Sequence, residues 1–330
     1  MRVCVLGGTG NISAEIVKLL LRLGHEVTCY NRGQSGEPPR GVRVIHGDRQ
    51  DRERFEQAMQ AQRFDAAIDM ICFSKDDASS SIRAFRGVRH FVHCSTTTTY
   101  GLAFDWLPVT EDHPLRPTMD SSKNKVEADN TFLAEYYASG FPVTIIKPST
   151  TYGPKLGWVR QAAFDLYWID RVRKGKPILI CGDGTAIHQF LHVEDAALGF
   201  AHVLGRSRCV GQTYNLVRRE HVTWLDYHKT AMRILGREVE LVGIPLVDME
   251  AMSIPNLELC KNLFAHNAIY SPEKIFRDVP EFQPRVSLEE GLQRVLETLD
   301  RDQRVRNSDK YDWEDRAIAA QRNTRTVAIR

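Results

Sequence analysis

The chain has 330 residues with 44 basic and 42 acidic side chains, a formal net charge of +2, so its charge balance favours neither nucleic acid nor an acidic membrane surface as partner. That length suits one large α/β unit or two small domains, and 42% hydrophobic with 26% charged residues excludes a disordered or fibrous chain. The longest apolar runs fall short of the roughly 18 residues of a membrane span, and Met1–Leu6 is too short in its apolar part for a signal peptide, which gives a cytoplasmic expectation.

Cys4, Cys29, Cys72, Cys94, Cys181, Cys209 and Cys260 are odd in number, scattered and free of any C-x-x-C pair. A disulfide framework or structural zinc site needs closer or even sets, so no metal is expected. Several of these cysteines lie in apolar runs and read as small core hydrophobes.

Along the first half, strand and helix patterns alternate. Strands are expected at Arg2–Leu6, His25–Tyr30, Val42–His46, Ala66–Cys72, His90–Cys94 and Val143–Lys147. Helices are expected at Ala14–Leu23, Arg52–Gln62, Ser79–Arg86 and Ser122–Ser139. Short apolar strands separated by helices predict an α/β, doubly wound parallel Rossmann sheet, with its ligand beyond the carboxyl ends of the strands. After Pro154 the rhythm breaks: a strand at Ile178–Cys181 is flanked by glycine turns, and a helix at Glu194–Leu204 and a strand near Thr213–Val217 rejoin the sheet. The expected organisation is a dinucleotide domain of residues 1–155 plus about 190–220. A smaller C-terminal substrate lobe takes about 156–189 and 221–300, and a charged extension takes 301–330.

Gly7-Gly8-Thr9-Gly10-Asn11-Ile12-Ser13 joins the first strand to the first helix. Amides at such a helix start point at a pyrophosphate, and glycines admit it closely, so Gly7, Thr9, Gly10, Asn11 and Ile12 are expected to hold a dinucleotide. Ser13 stands at the third glycine position and is expected to loosen helix–strand packing. The second strand ends Asn31-Arg32-Gly33 where NAD-binding folds carry an acid for the ribose; Arg32 can meet a 2′-phosphate or stand as a surface arginine. Asp48 is placed to accept from the adenine amino group.

These pieces, with Gly47-Asp48-Arg49, Cys94-Ser95-Thr96-Thr97-Thr98-Thr99-Tyr100-Gly101, Lys123-Asn124-Lys125-Val126-Glu127, Lys147-Pro148, Tyr152-Gly153-Pro154, Gly182-Asp183-Gly184 and His192-Val193-Glu194-Asp195, resemble the extended short-chain dehydrogenase/reductases, the NAD-dependent epimerase/dehydratase family. Asn31-Arg32-Gly33 and Trp313-Glu314-Asp315 resemble the subgroup that includes chloroplast stem-loop RNA-binding proteins. The resemblance implies a tightly bound, recycled NAD or NADP touching also Arg49, Ile71, Cys72 and Pro148. It implies a hydroxyl at Thr96 and, by register with Glu127, the family lysine at Lys123. Four residues before Lys123, where the family has its proton-accepting tyrosine, stands Met119. Lys123 is then expected to be the base itself, with a threonine such as Thr97 or Thr98, or water, relaying the proton, and with Tyr100, Cys72 and Lys75 as further donors.

Substrate contacts are expected at Lys75, Thr150 and His188, the last replacing an arginine that grips a diphosphate in sugar-nucleotide enzymes. The leading expectation is a dehydratase acting on a nucleoside or nucleotide-sugar, as in the 5,6-dehydratases of nucleoside-antibiotic pathways, by transient oxidation, loss of water and re-reduction. The alternatives are an epimerase, an NADPH-linked reductase, and a non-catalytic NAD(P)-binding or RNA-binding protein. Expected partners are the small-molecule substrate and a second copy of the chain as a homodimer.

Overall fold

Val3, Cys4, Val5 and Leu6 are all fully buried, so the first strand, β1 (Arg2–Leu6), is covered on both faces. With β2 (Glu26–Asn31), β3 (Arg43–His46), β4 (Ala66–Asp69), β5 (His90–Cys94), β6 (Val143–Pro148) and the strand Thr213–Leu216 it forms one seven-stranded sheet. The order is Thr213–Leu216, β6, β5, β4, β1, β2, β3, every pair parallel. Alternation of side chains splits the core in two. Val3 and Val5 pack with α1 (Ser13–Arg22) and the helix Val193–His202. Cys4 and Leu6 pack with α2 (Arg52–Gln60), α3 (Lys75–Ala84) and α4 (Asp120–Ser139). The computed structural model, which describes residues 1–324, thus has the doubly wound parallel sheet expected from the alternation.

Two units divide the chain: 1–151 with 191–219 and 270–285, and 152–190 with 220–269 and 286 onward. Residues 270–285, assigned from the sequence to the smaller lobe, therefore belong to the sheet unit. In the second unit Ile178–Cys181 runs parallel to Leu241–Ile244, beside an aromatic core that includes Trp168, Trp224 and Tyr227. The tail, read from the sequence as a solvated helix or a partly ordered extension, carries the helix Trp313–Thr324, which is buried along one face. Its Glu314, 2% exposed, accepts from Arg160 Nη2 at 2.6 Å and Leu179 N at 2.8 Å.

Local chemistry moves two other boundaries. β4 stops at Asp69 rather than Cys72 because the Asp69 carboxylate accepts from Ile71 N (3.0 Å) and turns the chain out of the sheet. α3 begins at Lys75 rather than near Ser79 because Ser74 Oγ accepts from Asp77 N (3.1 Å) and caps it. Among the described residues no helix is long and apolar enough to cross a membrane.

Candidate active site

β1 is flanked by β4 on one side and β2 on the other, which opens a crevice beyond the carboxyl end of β1. A cavity of ≈ 290 Å³ lies there, walled by the glycine turn, residues 30–35, residues 47–50, Ile71 and Phe73. Gly7 has φ +75°, and a Cβ there would collide with the Ile71 side chain. Ser13, at the third glycine position, closes the turn: its hydroxyl donates to Gly7 O (2.6 Å) and accepts from Gly10 N (2.8 Å). α1 has no side-chain cap at Ile12, and an uncapped helix start beside a glycine turn suits an anion. The cradle fits the pyrophosphate of a dinucleotide.

Gly7, Thr9, Gly10, Asn31, Arg32, Asp48, Arg49 and Ile71 line this cavity. Asn11 and Ile12 lead into α1, Cys72 is buried between Ile71 and Phe73, and Pro148 closes β6; none of these four lines it. Asn31 Oδ1 accepts from Gly8 N at 2.9 Å. Asp48 is exposed and its Oδ1 accepts from Gln50 N at 2.9 Å. Arg49 needs correction as a cofactor contact. Its guanidinium, 5% exposed, is committed to both Asp69 oxygens (3.0 and 2.9 Å), Asp77 O (2.8 Å) and Ser81 Oγ (3.0 Å). Burial would raise the Asp69 pKa, but Arg49 and Ser81 outweigh it and hold the carboxylate below its usual range. Asp69 and Asp77 in turn hold Ile71 N and Phe73 N, so Arg49 braces the cavity wall.

Beyond β5, Thr96 caps the 3₁₀ turn Thr97–Tyr100. Thr96 Oγ1 lies 3.1 Å from Thr98 Oγ1, which lies 2.7 Å from Ser122 Oγ, giving a chain of three hydroxyls. Thr97 is buried and donates to Pro148 O at 3.4 Å. Beneath the turn, Lys147 donates to Thr99 Oγ1 (2.8 Å), Ser95 Oγ (3.2 Å) and Asp129. Burial would raise Asp129, yet the Lys147 charge and His93 drive its pKa far down. Tyr100 is no proton donor here: it is fully buried, its hydroxyl bonds Asn215 Oδ1 (2.8 Å), and burial pushes the phenol far up.

The lysine also falls elsewhere than expected. Lys123 is 55% exposed and pairs with Asp120 at 2.9 Å, and Glu127 is exposed. Lys125 is buried, and its ammonium donates to Cys72 O and Cys94 O, each at 2.6 Å. It lies 4.8 Å from the ring centroid of Phe73, which is itself 57% exposed. Met119 is the half-buried N-cap residue of α4. The Cys72 thiol, expected as a donor, is pushed well up by burial, while Lys75 is exposed at the start of α3.

Thr150 is half-buried on the strand Thr150–Tyr152. His188, in the second unit, is 1% exposed among Phe190, Trp224 and Phe264. Burial lowers its pKa to about 4, so this histidine, expected to grip substrate, is a neutral core side chain. Among the described residues no group of three or more His, Cys, Asp or Glu side chains is arranged to hold a metal.

A parallel doubly wound sheet with a glycine-turn crevice defines a dinucleotide-binding protein of the Rossmann type. Residues 3–216 match the model of the NAD dependent epimerase/dehydratase family, and the chain belongs to that family. It is 27% identical over 286 residues to 2'-dehydrokanamycin reductase of Streptomyces kanamyceticus, covering 86% of this chain and 81% of that one. Chloroplast stem-loop binding protein of 41 kDa b from Arabidopsis thaliana is 26% identical over 71% of this chain, which spans 63% of that protein. dTDP-glucose 4,6-dehydratase of Streptomyces griseus is 29% identical over 62% of this chain and 57% of its own length. The fold is shared with UDP-glucose 4-epimerase of Thermotoga maritima in complex with UDP-glucose (TM-score 0.75, 20% identity, 92% of this chain and 100% of that one). It is shared too with the NAD complex of dTDP-glucose 4,6-dehydratase from Bacillus anthracis (TM-score 0.73, 21% identity, 92% and 98%).

Proposed function

We propose that this protein is an NAD(P)H-linked reductase of a ketone on a sugar-derived substrate. The carrying observation is Lys125, whose ammonium sits on the carbonyl of Cys72, between two cavity-lining residues, and on that of Cys94, two residues before Thr96. The dinucleotide supplies the hydride when bound. Thr96 would orient the substrate oxygen by hydrogen bonding, and Lys125 would provide a cation beside the developing alkoxide. The alkoxide's proton would come from solvent water, relayed by the Thr96, Thr98 and Ser122 hydroxyls, each of which gives one proton and takes another. Each role needs a positioned donor, not a tyrosinate. Similarity to 2'-dehydrokanamycin reductase over most of both chains supports a keto-aminoglycoside or related keto sugar as substrate.

The dehydratase expected from the sequence shares the redox step, and the similarity to dTDP-glucose 4,6-dehydratase supports it as a second reading. Elimination further requires a base for the proton beside the ketone. Thr97 and Thr98 stand where 4,6-dehydratases of the family carry an Asp-Glu pair, and the buried His188 and the thioether of Met119 offer no replacement. Incubating the protein with a panel of keto and hydroxy aminoglycosides, once with NADPH or NADH and once with NADP+ or NAD+, separates the two. Stoichiometric loss of nicotinamide absorbance with formation of an alcohol supports reduction. A product lighter by one water without net consumption of reduced cofactor would replace it with dehydration.

A further inference from the structure

We infer that the cofactor cavity is built for a dinucleotide bearing a 2′-phosphate, so that this chain takes NADP(H) in preference to NAD(H). The inference rests on the dinucleotide-binding reading above and names the cofactor within it. A ribose diol is held by a carboxylate at the end of the second strand, which accepts from both hydroxyls. Here that residue is Asn31, 8% exposed, and its only acceptor oxygen takes the Gly8 amide at 2.9 Å. Its side chain therefore serves the glycine turn and brings no negative charge to the ribose. A phosphate there meets no carboxylate on β2 to repel it.

The next residue supplies the opposite charge. Arg32 lines the cavity and is exposed, and among the described residues its guanidinium has no ion-pair or hydrogen-bond partner. The other arginine of the wall, Arg49, is locked onto Asp69, Asp77 and Ser81. Arg32 is thus the cavity's uncommitted guanidinium, and its planar fork suits a phosphate bidentately. Gly33 follows with φ +77°, a left-handed turn that bends Gln34 and Ser35 back to the same wall. The carboxylate in this wall, Asp48, follows β3, where Gly47 N donates to Asn31 O at 3.1 Å, and its Oδ1 accepts from Gln50 N at 2.9 Å.

The test is titration of the full chain with NADPH and with NADH, followed by nicotinamide fluorescence, for wild type, Arg32→Ala and Asn31→Asp. NADPH should bind about 10-fold or more tightly than NADH, the scale of one charge-assisted pair. Added salt should weaken NADPH more than NADH. Arg32→Ala should erase most of the preference while changing NADH affinity less than about 2-fold, since NADH lacks the 2′-phosphate that the guanidinium would pair with. Asn31→Asp keeps an acceptor for Gly8 N and should shift the ratio toward NADH. Equal affinities, tighter NADH, or a preference that survives Arg32→Ala would overturn the inference while leaving the reductase reading intact. Failure of the folded wild type to bind either dinucleotide would overturn both.

Discussion

The ammonium of Lys125 donates to the carbonyl oxygen of Cys72 at 2.6 Å. Helix periodicity explains why this lysine, and not Lys123, reaches the strand ends. Ser122, Lys125, Ala128, Asp129 and Phe132 are the buried residues of α4, spaced by three and four, which is one face of a helix. Lys123 and Glu127 share the spacing but lie on the solvent stripe. Lys125→Ala should therefore lower reductase turnover roughly 10²-fold or more, the scale of a positioned catalytic group. Lys123→Ala should leave it within about 2-fold, as for an exposed pair of small energetic worth. Steady-state rates with the best ketone of the panel check this; the reverse ranking would return the site to Lys123.

Arg49 gives a prediction in stability rather than rate. Replacing it by Met leaves Asp69 and Asp77 buried without their cation, and breaking such a pair costs about 3–5 kcal/mol. Urea unfolding measures the loss. Because Asp69 and Asp77 hold Ile71 and Phe73, cofactor affinity should fall as well, although the guanidinium never touches the ligand. An unchanged midpoint would remove Arg49 as the brace.

The sheet was legible because each of its strands is a short apolar run with its own helix or turn signal, and both faces of β1 need cover. The glycine turn was legible because strand, turn and helix occur together. The lysine was not. K-x-x-x-E and K-x-x-x-D overlap two residues apart in Lys123–Asp129, and only burial tells which stripe faces the sheet. The pairing of Lys147 and Ser95 with Asp129 gave no signal, since Asp129 is far from both in sequence. His188 misled for a related reason: a position homologous to a ligand-gripping arginine carries no information on whether a smaller ring has sunk into aromatic surroundings.

Burial of histidines sets a pH dependence. His90, His188 and His228 are buried, and burial lowers each imidazole from 6.5 to about 4. The unfolded chain binds the extra protons first, so their stabilisation is complete above pH about 6.5 and drains away as pH falls toward 4. By the low end each has lost about 3 kcal/mol of stabilisation. Unfolding free energy measured from neutral pH down to about pH 5 isolates the histidines, since carboxylates held low, such as Asp129, protonate later. His188→Phe should flatten the slope; a slope unaffected by it would mean that His188 is not buried neutral.

The last prediction concerns the missing tyrosine. Counting four residues back from Lys123 gives Met119, the N-cap residue of α4; counting back from Lys125 gives Ser121, in its first turn. Residues four apart on a helix are neighbours, so a phenol at 121 would stand beside the ammonium at 125. Ser121→Tyr should thus raise nicotinamide-linked turnover of a sugar ketone, on the order of 10-fold, by adding a proton donor to a site that now relies on hydroxyls. Met119→Tyr should give no gain, because its nearest helical lysine is the exposed Lys123, and Met119→Leu should be nearly neutral as a swap of similar apolar volume. Assaying the three variants side by side, with thermal unfolding as a control for folding, tests the register directly. A gain in Met119→Tyr with none in Ser121→Tyr would show that α4 presents Lys123 to the substrate after all.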